Sequence, residues 1–320
     1  MKKFLFLAVF MLLGSLLFSL TIEEYKTLPY KKTEFYGERF YYNLLDKVRV
    51  FEGNSKQFIS DFDNYYEYKN HELTAKEKDF FTEYFSYLPQ KLQDCFLNHV
   101  YAIYFVEGMW YGGLTNFIYD ENQNRYSIVY FNIDTFYYNL DDWLEYRDNS
   151  IFTKTDYNNR IKVECSKDWR AFIHVLIHES AHVYDYINSI TPYMETFDGS
   201  PKTNNIYYQY WQNMYQPVKK YDDKLLSQFS YYYFGNQISF SKAMLLFDYL
   251  STTPFSTLYG AKNFLDDFAE TLTFYYLQKN FGLDYKITCI ENGKDKATYS
   301  LTDNKNVTVW NELCKQITEY

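Results

Sequence analysis

His178-Glu179-Ser180-Ala181-His182 places two imidazoles and a carboxylate at a spacing suited to metal-assisted hydrolysis. On a helix of about 3.6 residues per turn, positions four apart lie one turn above each other, so both imidazoles reach one ion at about 2.1 Å. Glu179 projects beside that pair, where a carboxylate can take a proton from metal-bound water and pass it to a leaving amine. The preceding run, Phe172-Ile173-His174-Val175-Leu176-Ile177, is apolar apart from one histidine and predicts a buried helix. Ser180, Ala181 and Val183 are small and uncharged, which lets such a helix lie in a core.

Two histidines alone hold zinc poorly, so a third donor is needed. His71 and His99 lie far upstream, and His174, one turn before His178, reads as a hydrogen-bonded core or supporting residue. No histidine follows His182, and the extended motif H-E-x-x-H-x-x-G-x-x-H is broken by Asp185 and Asn188 at its last two fixed positions. The third ligand is therefore a carboxylate. A downstream segment from Asn263 to Tyr275 shows helical periodicity in Phe264, Phe268, Leu272 and Tyr275, and its Asp266 and Glu270 are four apart on one face. One of them can bind the ion while the other orients a ligating histidine.

With these residues in place, the chain resembles the gluzincin-type zinc metallopeptidases, in particular the group that includes the anthrax lethal factor catalytic domain and the Pro-Pro endopeptidases. The resemblance is carried by the H-E-x-x-H with Asp185 three residues on, by Tyr259-Gly260, by the acid seven residues after that tyrosine, and by Asp267-Phe268-Ala269-Glu270. It spans roughly residues 95 to 280. It implies a zincin-like fold, Zn²⁺ held by His178, His182 and Asp266, Glu270 as the carboxylate behind the ligands, and Tyr259 stabilising the transition state. The family has glutamate where this chain has Asp266, so either the helix approaches more closely or Glu270 or Asp267 takes the ion; aspartate serves as third ligand in the related aspzincins. The long stretch from His182 to Tyr259 implies an insertion that shapes the cleft.

The elements that must position these groups can be read more coarsely. Residues 1 to 20, with Lys2 and Lys3 ahead of an apolar run from Phe4 to Leu13, predict a signal sequence or an N-terminal anchor, the only membrane association expected, and hence an exported protein. A net charge of −9 argues against a nucleic-acid partner, while the resemblance implies a peptide or protein substrate. The 38 tyrosines and 29 phenylalanines, clustered for instance at Tyr231-Tyr232-Tyr233-Phe234, read as core and half-buried filling or as a recognition surface, the first being preferred. Four cysteines (Cys95, Cys165, Cys289, Cys314) permit two disulfides in an exported chain, with Cys289 and Cys314 the expected pair; no C-x-x-C spacing favours zinc binding by thiols.

Residues 21 to 95 predict a helical N-terminal region broken at Leu88-Pro89, followed by a zincin-like metallopeptidase domain over 96 to 320. Within it, a strand over 100 to 106 precedes a hairpin of 115 to 119 with 126 to 132, whose edge strand would by resemblance pair with an extended substrate. A loop at 196 to 206 and helices over 217 to 229, 238 to 250 and 262 to 279 complete the reading. The expected class is α+β, with a short antiparallel sheet over the active-site helix and a mostly helical C-terminal half. The competing reading is a surface-binding protein that keeps the fold without turnover; the intact Glu179 speaks against it.

Overall fold

The computed structural model describes residues 22–37, 39–192 and 206–319. The leader and all but the last residue of the 196–206 loop lie outside them. Among the described residues no helix is long and apolar enough to cross a membrane.

The chain is α+β. A short helix α1 (Ile22–Thr27) leads through 3-10 turns to α2 (Gly53–Asp63), β1 (Lys69–Asn70), α3 (Ala75–Ser86) and α4 (Gln90–His99). Helix α3 starts at a capping box, with Thr74 and Glu77 each satisfying the other's backbone N–H. Three strands follow, β2 (Val100–Glu107), β3 (Gly113–Tyr119) and β4 (Arg125–Asn132), and the sheet runs in the order β1-β2-β4-β3. Strands β3 and β4 form the expected antiparallel hairpin, but β2 pairs with β4 in parallel, so the sheet is mixed and not antiparallel. The physical reason is burial: all of Val100 to Val106 are inside on both faces, which suits a central strand, and the chain therefore passes to the edge and returns between.

Helix α5 (Leu140–Asn149) and two strands, β5 (Phe152–Thr153) and β6 (Arg160–Glu164), lead into α6 (Phe172–Asn188), the motif helix. Thirteen of its seventeen residues are buried, as the apolar run requires, and it ends where Ser189 turns left-handed at φ 53°. Arg125 of β4 donates to Tyr186 O at 2.9 Å and to Ser189 Oγ at 2.7 Å, tying that end to the sheet. Between residues 206 and 242 there is no helix of the expected 217–229 kind. That stretch holds a small hairpin, β7 (Trp211–Asn213) with β8 (Gln216–Pro217), then turns, and β9 (Ile238–Ser239), which pairs with β5. Lys262 reaches into it to donate to Phe229 O at 2.9 Å and to Leu226 O, so long-range bonds replace the intrahelical ladder.

Helix α7 (Ala243–Ser251) and helix α8 (Phe264–Phe281) come next, the latter bearing the acidic residues. The C-terminal part is less helical than expected. A hairpin of β10 (Lys286–Glu291) and β11 (Lys294–Ser300) adds to β6, and α9 (Asn311–Thr318) closes the chain. The expected Cys289–Cys314 disulfide is absent: all four cysteines are free thiols, Cys289 on β10 and Cys314 on α9 each packed among apolar side chains. One continuous core takes in residues from Tyr36 to Ile317, and α6 lies at its centre against β3, β4, α4 and α8.

Candidate metal centre

Helices α6 and α8 bring the sequence-predicted donors together. His178 Nε2 and His182 Nε2 lie 3.1 Å apart, and Asp266 Oδ1 lies 3.6 Å from the first and 3.4 Å from the second. Ligands at about 2.0–2.2 Å from a tetrahedral ion stand about 3.3–3.6 Å from one another, so this triangle of one carboxylate oxygen and two imidazole nitrogens has the dimensions and the donor chemistry of a zinc site. Asn263 holds the short aspartate side chain in place. Asn263 caps α8, its Oδ1 accepting from Asp266 N at 2.9 Å, while its Nδ2 donates to Asp266 Oδ2 at 2.6 Å and leaves Oδ1 to the histidines. Burial alone would raise the Asp266 pKa, yet His178 and His182 hold it down, at about 2.

Glu270 lies one turn along and fully buried. Its Oε2 accepts from Arg147 Nη1 at 2.9 Å and from Thr257 Oγ1 at 2.7 Å, and its Oε1 lies 3.0 Å from His174 Nε2 and 3.2 Å from His178 Nδ1. The last contact is out of line for a hydrogen bond, but it fixes the side of the ring that faces away from the donor triangle. Burial would push Glu270 up; Arg147 first, then His174 and His178, hold it well below the usual carboxylate range. His178, which burial would push down, is instead held up, to about 10, by Asp266, Glu270 and Glu179. His174 falls to about 4 because burial outweighs Glu270. His174, His178 and Glu270 form a second group of donors that shares His178 with the first. Asp267, the other candidate acid, points elsewhere: its Oδ2 accepts from Trp211 Nε1 at 2.8 Å.

Glu179 is nine-tenths or more buried and accepts from Thr115 Oγ1 at 2.7 Å. Thr115 shares a face of β3 with Gly113 and Phe117 because strand side chains alternate. Phe117 stacks on Tyr186 of α6 at 4.3 Å, and at Gly113 an added Cβ would meet Glu179 Cγ and Oε1 at 2.7 Å. Gly113 matters here for closeness and not for backbone conformation, since it has no positive φ. Burial raises the Glu179 pKa, opposed by His178, His182 and Thr115, which favours a carboxylate ready to bind a proton.

Tyr259 stands at the same opening, its ring 6.0 Å from that of His178 and under the Arg147 guanidinium at 5.4 Å. It precedes a tight 3-10 turn (Gly260–Lys262), in which Gly260 has no positive φ. A Cβ there would meet Asp267 Cα at 3.3 Å, so this glycine serves close packing on α8. Gly113, His178, Glu179, Arg147, Tyr232 and Tyr259 are among the residues lining one recess.

Four contributors went unseen in the sequence: Thr115, Arg147, Thr257 and Asn263. Only Asn263, at the start of an acidic helix, carried a readable signal, that of a cap. Comparison with protein-family models, with curated proteins and with solved structures finds no match to this chain, which leaves the residues and their geometry to speak for the function.

Proposed function

We propose that the chain is a zinc-dependent metallopeptidase with a zincin-like arrangement, in which His178, His182 and Asp266 hold the ion and Glu179 is the general base. The observation that carries this reading is the donor triangle of 3.1, 3.4 and 3.6 Å with a buried glutamate on the same helix beside it. The terminal position of β3, nearest Glu179, adds support, since an edge strand offers backbone groups to an extended peptide. Bound there, zinc would act as a Lewis acid toward a peptide carbonyl and lower the pKa of its water.

The chain's own groups then have separate tasks. Thr115 fixes the rotamer of Glu179, whose carboxylate takes a proton from the attacking water and delivers it to the departing amine. Tyr259 would donate from its hydroxyl to the oxyanion; burial and the nearby Asp266 raise its pKa well above the ordinary value, so it stays protonated. Glu270, neutralised by Arg147, orients His178 and does not compete for the ion. An exported location, read from the basic and apolar first twenty residues, belongs to the same proposal.

The test is metal analysis of the purified protein together with peptide-library digestion. The parent should hold one zinc per chain and cleave peptides in a chelator-sensitive way, whereas Glu179→Gln should keep the zinc and lose cleavage. Turnover that survives in Glu179→Gln excludes the mechanism.

A further inference from the structure

The run Tyr231-Tyr232-Tyr233-Phe234 is split by the fold: Tyr231 and Tyr232 are 7% exposed, Tyr233 is 51% exposed. Tyr232 and Tyr233 both adopt left-handed backbone conformations, with φ of 55° and 62°. For two bulky residues in succession this is a costly conformation and persists only where the surroundings impose it. Here Ser150 Oγ accepts from Tyr232 N at 2.7 Å, and Ser230 N donates to Asn236 O at 2.8 Å. The strained turn sends Tyr232 inward, 6.1 Å from the rings of both Tyr259 and Tyr111, and Tyr233 outward, 6.1 Å from Tyr146.

The result is a path of rings from the metal centre to solvent. Tyr232 meets Tyr146 at 6.3 Å, and Tyr111 meets Phe234 at 5.9 Å, which in turn packs on Trp110 at 4.9 Å. Trp110, Tyr146 and Tyr233 are exposed, so apolar faces lie open together and not singly. The charged groups touching these rings are turned inward and paired: Arg147 with Glu270 and Asp148, and Asp63 with the hydroxyls of Tyr68 and Tyr111. A charged ligand side chain laid on these rings would lose hydration without meeting an unpaired partner among the charges just named. Rigid rings offer contact area at little cost in side-chain entropy.

We propose that Trp110, Tyr146, Tyr233 and Phe234 form the shelf that grips the flank of the substrate and selects peptides with an uncharged apolar side chain a few residues from the cleaved bond. The proposal rests on the peptidase reading above. Its occupant is the substrate peptide itself, because the shelf is continuous through Tyr232 with the recess that contains Glu179.

The experiment uses zinc-loaded Glu179→Gln and a series of tetrapeptide hydroxamates that differ only in the residue farthest from the hydroxamate: Leu, Phe, Gly, Asp or Lys. Binding is measured by calorimetry. Leu and Phe should bind about tenfold tighter than Gly, the difference that burying one apolar side chain supplies, and Asp and Lys no tighter than Gly. In the double variant Trp110→Ala/Tyr233→Ala, with zinc content equal to the parent's, the ratio of Leu to Gly should collapse to within about twofold, equivalent to less than about 0.5 kcal/mol. A ratio that persists in the double variant, or Asp or Lys bound as tightly as Leu, overturns the shelf while leaving the metal centre standing. If none of the hydroxamates binds, the metal-centre reading falls and the shelf falls with it.

Discussion

Asp266 divides its carboxylate between two tasks, one oxygen toward the histidines and the other held by Asn263, whereas both oxygens of Glu270 are already taken by Arg147, Thr257 and His174. From this division, Asp266→Ala should weaken zinc binding far more than Glu270→Gln, whose loss of an orienting contact should cost only about 10–100-fold. Competition titration with a chromogenic chelator checks the order, and the reverse order would make Glu270 the ligand. On the proposed mechanism Tyr259→Phe removes one donor to the oxyanion and nothing that binds the ion, so kcat should fall by about 10²–10³ with zinc content unchanged. Steady-state kinetics decides it: a kcat within about threefold of the parent would reduce Tyr259 to packing on Tyr231, 4.9 Å away.

The motif helix reaches the edge strand and the residue before it at two glycines, Val175 packing its side chain on Gly112 and Glu179 on Gly113. Gly113→Ala puts a methyl at 2.7 Å from the base, which is the flexible end of a glutamate and so can shift. The expected outcome is a folded, zinc-loaded protein with kcat lowered about 10²-fold or more, since small misplacement of a reacting group is costly; unchanged turnover would mean that Glu179 works from another rotamer. This contact also marks what the sequence conceals. Helix α6 was legible because its apolar run and its motif coincide, and α8 because its periodicity is strong. The choice between Asp266 and Glu270 was open because it depends on Arg147 and Thr257, which come from other elements. Residues 217–229 misread as helix for a related reason: their backbone is held by Lys262. The parallel placement of β2 beside β4 is likewise a choice of neighbour, which alternation within a strand does not encode.

Among the described residues one large core is accompanied by a small cluster of Phe117, Tyr119 and Tyr186, and no disulfide staples them. Four free thiols predict that the denatured, unreduced protein reacts with four equivalents of a thiol reagent and that reductant leaves the Tm unchanged; two equivalents would mean a disulfide the fold does not show. The even cysteine count misled because Cys289 and Cys314 are ordinary apolar packing. One consequence follows from the order of the elements. The base and both imidazoles sit on Phe172–Asn188, but the acid sits on Phe264–Phe281, with the small hairpin, its turns and α7 in between. A chain emerging from the ribosome therefore carries two of the three donors long before the third, and closing such a distant contact is slow. On the proposed reading, hydrolytic competence would arrive late in synthesis, which would spare the unfinished chain, and its neighbours, from its own activity.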